Sequence, residues 1–290
     1  PPRDSIRRQR QMCIRDSYQA ELAMGLSRLT GIPYGITLHA YGIWKDRSAL
    51  GEKVAGARVV LTCTEHNAEH LRKTFPDHAG KVRVLYHGLD LGRLGPVTSP
   101  PPTRETRWLA VGRFVPKKGF LHLVEAAGLL RDRRVPFELT ILGSGAEGRA
   151  VRRRVRDLGL ERRVQLPGAV PNAHVLRALR ASHGLVMPSV QAPSGDVDGI
   201  PNVILEAMAM ERAVVGTAVS GLPEAIRPAE TGVLVPPGDP AALADAMEGL
   251  GSDRAGAAAM GRRGRQLVAE LFDLRRNTRD QVKLLLEVMG

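Results

Sequence analysis

The candidate cations Arg113 and Lys118 follow a predicted strand in the segment from Val111 to Gly119. The strand Trp108–Val111 opens an alternating strand–helix series, and ligands of such sheets bind at the carboxyl ends of the strands. Gly112 allows the backbone to approach a ligand closely. Arg113 can hold phosphate oxygens in a bidentate fork, and Lys118 adds a mobile point charge. The segment therefore predicts phosphate binding, with a solvated basic loop as the alternative.

A glycine turn follows a second predicted strand. Gly143 and Gly145 stand between the strand Glu138–Leu142 and a predicted helix over 145–157. Free backbone N–H groups at such a helix start can hold an anion. The same turn is common in α/β proteins for packing alone, and that alternative remains open.

Two carboxylates bracket a Gly/Pro loop and the first turns of an apolar helix. Asp198 precedes the loop, and Glu206 is placed in the helix with apolar neighbours on either side. A carboxylate in such surroundings needs hydrogen-bond donors, and ribose hydroxyls are suitable ones. The alternative is a simple helix start in which Asp198 lies near the N-cap.

Two further strand-end loops carry candidate residues. Gly221 follows the strand Val214–Thr217, and its loop could turn backbone N–H groups toward a diphosphate or a sugar. His39 ends the predicted strand Tyr34–His39. A lone histidine is more often a packed or surface residue than a catalyst, but the strand-end position makes His39 a candidate.

The amino-acid composition of the chain limits the functions that it can have. The 290 residues are 43% hydrophobic and 25% charged, with a net charge of +12 that favours acidic ligands. Aromatic residues make up 4%, which leaves no stacking platform for nucleic acid. No apolar stretch reaches the roughly 20 residues of a membrane span. The two cysteines, Cys13 and Cys63, provide neither a disulfide framework nor a metal cluster, so a reducing, cytoplasmic compartment is expected.

One predicted helix is strongly basic. A solvated face is the ordinary interpretation, and contact with an anionic membrane surface is the alternative. Its arginines are Arg149, Arg152, Arg153, Arg154 and Arg156.

The order of elements predicts two α/β domains. Residues 1–17 contain the run Met12 to Ser17, which resembles the translation of a transposon-end sequencing adapter, and this leader is expected to lie outside the fold. Residues 18–97 form a partial N-terminal domain, 98–106 a Pro-rich linker, and 107–265 a complete doubly wound domain. Residues 266–290 form a C-terminal helix that is expected to pack toward the N-terminal domain. The first helix, Tyr18 to Thr30, carries Leu22, Leu26 and Leu29 on one face.

Taken in order, these segments resemble the retaining GT-B glycosyltransferases of family GT4. The resemblance implies a GT-B fold of two Rossmann-like, doubly wound domains, of which the N-terminal one is incomplete here. The matching stretches are 87–90, 112–113 with 118–119, 143–145, 198–206, 220–224 and 232–239.

The resemblance also implies roles. Arg113 and Lys118 match the cations on the donor diphosphate, and Glu206 matches the carboxylate that binds the ribose. Asp198 matches the first acid of the Glu-X7-Glu motif, where the family usually has glutamate, and His39 matches the histidine that approaches the donor sugar. These four implied catalytic residues are Asp198, His39, Arg113 and Lys118. The nucleotide-sugar-binding positions are Gly112, Arg113, Lys118, Gly143, Gly145, Val170, Gly199, Ile200, Asn202, Val203, Glu206 and Gly221, with no metal ligand.

The implied activity is the metal-independent, retaining transfer of a sugar from a nucleotide-diphosphate sugar to a glycan or lipid-linked acceptor. No permanently bound cofactor is expected, and nucleic acid is not an expected partner. Peripheral contact with an anionic membrane, at the cytoplasmic face, is a further expectation. Three alternatives remain for the function: a sugar-nucleotide epimerase of GT-B fold, an inactive nucleotide-sugar-binding fragment, and a basic module that binds anions or a membrane surface.

Overall fold

The computed structural model describes residues 13–15 and 18–289, which fall into two compact units. Among the described residues, the first unit contains those through Gly88, Pro193–Gly199 and those from Leu274 onward. The second contains Leu89–Ala192 and Ile200–Asp273. Both units are built from parallel strands and helices, so the predicted α/β class is confirmed.

The first unit has a parallel sheet with strand order β1-β2-β3-β4. All four residues of β3 are buried, as expected for a strand covered on both faces. Thr64 caps the N-terminus of the helix Glu65–Thr74, because its hydroxyl accepts a hydrogen bond of 3.2 Å from the Asn67 N–H. The elements are β1 (Cys13–Arg15), α1 (Tyr18–Thr30), β2 (Gly35–Leu38), a π-helix (Tyr41–Lys45), α2 (Leu50–Gly56), β3 (Val59–Thr62), α3 (Glu65–Thr74), a 3-10 helix (Pro76–Lys81), β4 (Val82–Val84) and a final helix named α11 (Leu274–Met289).

The expected leader contributes a strand. We expected residues 1–17 to lie outside the fold, but Cys13–Arg15 pairs in parallel with Gly35–Thr37. A parallel ladder uses main-chain groups only, so this pairing does not depend on the side chains of the leader. The rest of the leader, residues 1–12 and 16–17, lies outside the described residues.

The apolar face predicted for α1 is not its buried face. Leu22, Leu26 and Leu29 are 54%, 44% and 85% exposed, whereas Ala20 and Ala23 are buried in the core of the first unit. The helix therefore packs through its small residues. Helical spacing identified the helix correctly but not the side that the tertiary structure covers.

The second unit has a six-stranded parallel sheet with strand order β10-β9-β8-β5-β6-β7. Its strands β8 and β9 are buried along their whole length. The elements are a 3-10 helix (Leu91–Leu94), β5 (Thr106–Val111), a 3-10 helix (Pro116–Lys118), α4 (Phe120–Asp132), β6 (Phe137–Leu142), α5 (Gly148–Asp157), β7 (Val164–Gly168), α6 (Asn172–Ala181), β8 (Gly184–Met187), α7 (Asn202–Ala209), β9 (Ala213–Thr217), α8 (Leu222–Ala225), β10 (Val233–Val235), α9 (Pro240–Ser252) and α10 (Arg254–Leu271).

The boundary between the units lies earlier than the predicted linker. We expected the first domain to end at 97, but the chain joins the second unit from Leu89. Leu94 is buried, and the buried Arg212 guanidinium donates to the carbonyl oxygens of Thr98 and Leu179. The segment 89–98 is thus held by packing and by buried hydrogen bonds. The sequence of this segment does not reveal either contact.

The C-terminal helix expected over 266–290 is two helices. Helix α10 ends at Leu271, and α11 begins at Leu274. Phe272 is fully buried, its carbonyl oxygen accepts a hydrogen bond of 2.7 Å from the Leu89 N–H, and Asp273 forms a bridge with Leu89. These contacts interrupt a helical pattern that is continuous in the sequence.

Candidate active site

The predicted binding loops of the second unit meet at one edge of its sheet. All its strand pairs are parallel, so the loops after β5 to β9 emerge at the same edge. The chain winds from β5 toward β7 in one direction and from β8 toward β10 in the other. The strand order therefore reverses between β5 and β8, where open α/β sheets bind their ligands.

The loop after β5 places Lys118 against Gly112. A Cβ atom on Gly112 would lie 3.1 Å from Lys118 Cε, so the lysine stem packs against the bare glycine backbone. Lys118 ends the 3-10 helix Pro116–Lys118 and is half-buried, whereas Arg113 is exposed. The two cations predicted from the sequence thus belong to one strand-end loop. Lys118 is the more firmly positioned of them.

Glycine is required where the β6 loop crosses the β5 loop. Gly143 has φ +144° and Gly145 has φ +156°. A Cβ on Gly143 would overlap the Gly112 carbonyl oxygen, and a Cβ on Gly145 would lie 2.5 Å from the Phe114 carbonyl oxygen. The Gly143 N–H donates to Gly168, so it is already used within the protein. The close packing of two loops is therefore a demonstrated role of these glycines.

A third glycine joins the β5 loop to the β8 loop. Gly119 has the left-handed φ of +64°, and a Cβ there would overlap the Pro188 carbonyl oxygen. The Val190 N–H donates a hydrogen bond of 2.9 Å to the Lys117 carbonyl oxygen beside it. These contacts lie at the reversal of strand order, so they fix the two loops that flank the candidate site.

Glu206 lies in α7 with its side chain half-buried. Burial raises the pKa of its carboxyl, and the hydrogen bond from Asn172 partly opposes that rise. Asn172 Nδ2 donates this bond to Glu206 Oε1 over 3.3 Å. A carboxyl with one amide donor retains acceptor capacity for the hydroxyls of a ligand. Asn172 was missed at the sequence level because no local pattern marks the start of α6 as a partner of α7.

The other predicted binding residues of this unit surround Glu206 in sequence or lie in neighbouring loops. Val170 is partly buried in the loop between β7 and α6. Asn202 is exposed at the start of α7, Val203 beside it is buried, and Ile200 is partly buried just before the helix.

The loop after β9 contains a strained serine. Ser220 has φ +51°, and its Oγ is buried without a hydrogen-bond partner among the described residues. Gly221 follows it, buried, at the start of α8. A non-glycine residue in this conformation is uncommon and often marks a functional loop. Ser220 lies in the stretch 220–224 that the family resemblance covers, but its strain and the hydroxyl's lack of a partner among the described residues appear only in the structure.

His39, Asp198 and Gly199 belong to the first unit. His39 follows β2, and its Nε2 lies 3.0 Å from the Nε2 of His87. A Cβ on Gly199 would lie 3.6 Å from Thr64 Cγ2 and 3.8 Å from Cys63 Sγ, so this segment packs at the end of β3. Asp198 and Glu206 are eight residues apart in sequence but lie in different units, and the spacing between them did not predict this.

Neither a metal centre nor a membrane span is found in the described part of the chain. Within residues 13–15 and 18–289, no three or more His, Cys, Asp and Glu side chains form a group that could hold a metal ion. No helix in the same ranges is both long enough and apolar enough to cross a membrane.

Comparison with known sequences identifies relatives. The chain matches the family described as Glycosyl transferases group 1 over residues 105–253. It is 34% identical to the amylovoran biosynthesis glycosyltransferase AmsK of Erwinia amylovora over 166 residues, which are 57% of this chain and 41% of AmsK. It is 32% identical to the D-inositol 3-phosphate glycosyltransferase of Paenarthrobacter aurescens over 257 residues, covering 79% of this chain and 60% of that protein. The chain thus spans less than two thirds of the length of either relative.

Solved structures agree with the fold. A sucrose-phosphate synthase from Thermosynechococcus elongatus superposes with a TM-score of 0.81 at 25% identity, covering 96% of this chain and 73% of that one. HepE of Anabaena, solved in complex with UDP and glucose, superposes with a TM-score of 0.77 at 19% identity, covering 92% and 75%. The family match takes in β5 to α9, which contain Arg113, Lys118 and Glu206. The chain therefore belongs to the glycosyl transferases group 1 family, and the GT-B fold expected from its sequence is confirmed.

Proposed function

We propose that this chain transfers a sugar from a nucleotide-diphosphate sugar to a glycan or lipid-linked acceptor, with retention at the anomeric carbon and without a metal ion. The observation that carries the proposal is the loop after β5, where Lys118 packs on Gly112 with Arg113 beside it. This cationic loop lies at the reversal of strand order in the second unit. The positive charge of the loop is complementary to the negative charge of a diphosphate.

The donor is held by complementary groups of the second unit. Lys118 and Arg113 bind the diphosphate oxygens, and Glu206 accepts hydrogen bonds from the ribose hydroxyls. Its half-buried carboxyl, bonded by one amide, has the acceptor capacity that this role needs. The complex of HepE with UDP and glucose supports a nucleotide-sugar donor for this chain. AmsK is named for amylovoran biosynthesis, which supports a polysaccharide pathway.

The chemistry separates charge between the sugar and the diphosphate. As the sugar–phosphate bond breaks, the leaving diphosphate gains negative charge, and fixed cations stabilise that charge without reorganising. Lys118 is suited to this work because its stem is packed. The sugar carbon gains positive character, which the Asp198 carboxylate favours, and His39 approaches the donor sugar. The acceptor hydroxyl attacks from the face that the phosphate leaves and gives its proton to the departing diphosphate, so the configuration is retained.

An assay with purified protein distinguishes sugar transfer from epimerisation and from binding without turnover. We expect purified protein to bind one of UDP-, GDP- or ADP-sugars and to release the nucleoside diphosphate only when a sugar acceptor is supplied. NMR of the product should show the donor's anomeric configuration, and EDTA should leave the rate unchanged. Epimerised donor without release of the diphosphate would establish the epimerase alternative. Binding without any turnover, across a range of acceptors, would establish the inactive binding fragment.

A specific surface supports contact with an anionic membrane at the cytoplasmic face. Helix α5 exposes arginines at positions i, i+3, i+4 and i+7, while its buried face carries Val151 and Val155. The first turn contains no acid. These four residues line a surface groove of about 550 Å³. We name them the arginine stripe: Arg149, Arg152, Arg153 and Arg156.

The arginine stripe has no internal counter-charge among the described residues. The fifth arginine, Arg154, is bonded to Glu125, whereas the four exposed ones form no ion pair with a described carboxylate. Like charges three and four residues apart each cost about 0.2–0.5 kcal/mol of helix stability. An anionic phospholipid surface offsets that repulsion and contributes about 1 kcal/mol for each arginine.

Vesicle binding tests the arginine stripe. We expect the protein to cosediment with phosphatidylglycerol-containing vesicles, and the double variant R149Q/R153Q to bind roughly 30-fold more weakly, from two lost contributions of about 1 kcal/mol. The matched control R177Q/R262Q removes the same charge from exposed arginines of other helices. An equal loss of vesicle binding in both double variants, or equal binding to vesicles of phosphatidylcholine alone, would mean that the arginine stripe is an ordinary solvated face.

A further inference from the structure

His39 and His87 form a direct ring-to-ring contact within the first unit. Their Nε2 atoms lie 3.0 Å apart, and their ring centroids are 5.0 Å apart at an interplanar angle of 55°. The residues are 48 positions apart in sequence. His39 follows β2 and His87 follows β4. Both therefore lie in loops at the same edge of the parallel sheet. The contact is therefore a product of the fold.

The distance restricts the protonation of both rings. A neutral imidazole carries one N–H donor and one lone pair, whereas an imidazolium carries two donors. Two Nε2 atoms at hydrogen-bond distance need one proton between them. The two neutral rings must then be opposite tautomers, one protonated at Nε2 and the other at Nδ1. The bond thus couples the two rings, because the tautomer of one determines the tautomer of the other.

We infer that His87 is a positioning residue whose hydrogen bond couples the tautomer of the His39 imidazole to its own. His87 is the more exposed of the two rings, and His39 is half-buried. The half-buried ring is the one that the proposed function assigns to the donor sugar, so the effect on catalysis rests on that proposal. The pairing of the two histidines does not depend on the proposed function.

The chain offers a matched set of variants. His87→Phe keeps a ring of similar size but removes the hydrogen bond. His87→Gln places an amide as many bonds from Cα as Nε2, so it can still donate to or accept from His39. His78→Phe is the control, because His78 lies in the same unit on the 3-10 helix Pro76–Lys81.

Nitrogen-15 NMR of histidine-labelled protein at about pH 8, where an ordinary imidazole is neutral, reads the tautomers directly. We expect His39 and His87 in opposite tautomers in the wild type. The tautomer populations of His39 should shift in His87→Phe, shift less in His87→Gln, and stay unchanged in His78→Phe. Identical tautomers in the wild type, or an unchanged His39 signal in His87→Phe, would overturn the inference.

Kinetics add a readout that distinguishes positioning from folding. We expect His87→Phe to lower kcat about tenfold with little change in KM for the donor, and His87→Gln to recover most of that loss. Equal losses in both variants, or a change in KM alone, would contradict a positioning role. If the wild type shows no transfer, the proposed function fails while the NMR result still decides whether the histidines pair.

Discussion

Replacing Lys118 with glutamine should lower kcat for sugar transfer by about 10²- to 10³-fold, the usual loss when one preorganised group that stabilises developing charge is removed. The charge on the leaving diphosphate is greatest in the transition state, so the loss should appear in kcat more than in KM. The stem of Lys118 packs against Gly112, which limits the positions that its ammonium group can take. Steady-state kinetics with the preferred donor measures the effect.

Lys117→Gln is the matched control for this prediction. Lys117 precedes Lys118 on the same 3-10 helix and carries the same charge. Its hydrogen bond with the β8 loop uses its carbonyl oxygen, which the substitution retains. Equal losses for the two lysines would indicate a general effect of net charge. A change confined to KM would mean that Lys118 binds the donor without assisting its cleavage.

Replacing Glu206 with glutamine should weaken donor binding and stabilise the protein at neutral pH. Hydrogen bonds to a charged group contribute about 1.5–3 kcal/mol, so a 10- to 100-fold rise in Kd for the nucleotide sugar is expected. The same carboxylate is half-buried with one amide donor, and removing its charge should raise the free energy of unfolding by roughly 1 kcal/mol. Calorimetric titration and urea unfolding measure the two effects separately.

The pH dependence follows from the direction of the Glu206 shift. Burial raises the pKa of this carboxyl in the folded protein above its unfolded value. The folded state therefore holds the proton more tightly, and the contribution of Glu206 to stability is lost as the pH rises through the folded pKa. The stability gained by Glu206→Gln should accordingly be largest above that pKa and should shrink in acid.

Glu161→Gln serves as the control for the loss of one exposed negative charge, since Glu161 lies in the turn before β7. We expect it to leave both donor affinity and stability unchanged. An unchanged Kd for Glu206→Gln would remove the ribose-binding role of Glu206. Lower stability of that variant at every pH would mean that the carboxylate is well satisfied without a ligand.

The strand-end loops could be predicted from the sequence because their signals are local. The alternation of apolar strands and helices, with glycines and cations directly after strands, identifies the Gly112–Gly119 loop and its candidate residues Arg113 and Lys118. The parallel arrangement then requires these loops to share one edge. The same local logic located Glu206 in its helix.

Local signals do not determine which side of an element is covered. Leu22 and Leu26 follow a good helical pattern, yet their face is exposed, because burial depends on what the rest of the fold packs there. The final helix breaks at Phe272 because that side chain enters the core. Neither outcome is encoded in the few residues around it.

Residue type and short spacing were enough to predict the α/β class, the candidate cations and the carboxylate in α7. The meeting of distant groups, in contrast, emerged from the folded chain alone. Folding paired Asn172 with Glu206 and His39 with His87, and it assigned Asp198 to a different unit from Glu206. Such contacts could not be predicted from the local sequence. They depend on the order of the strands in the sheet, which brings together residues that are far apart in the chain.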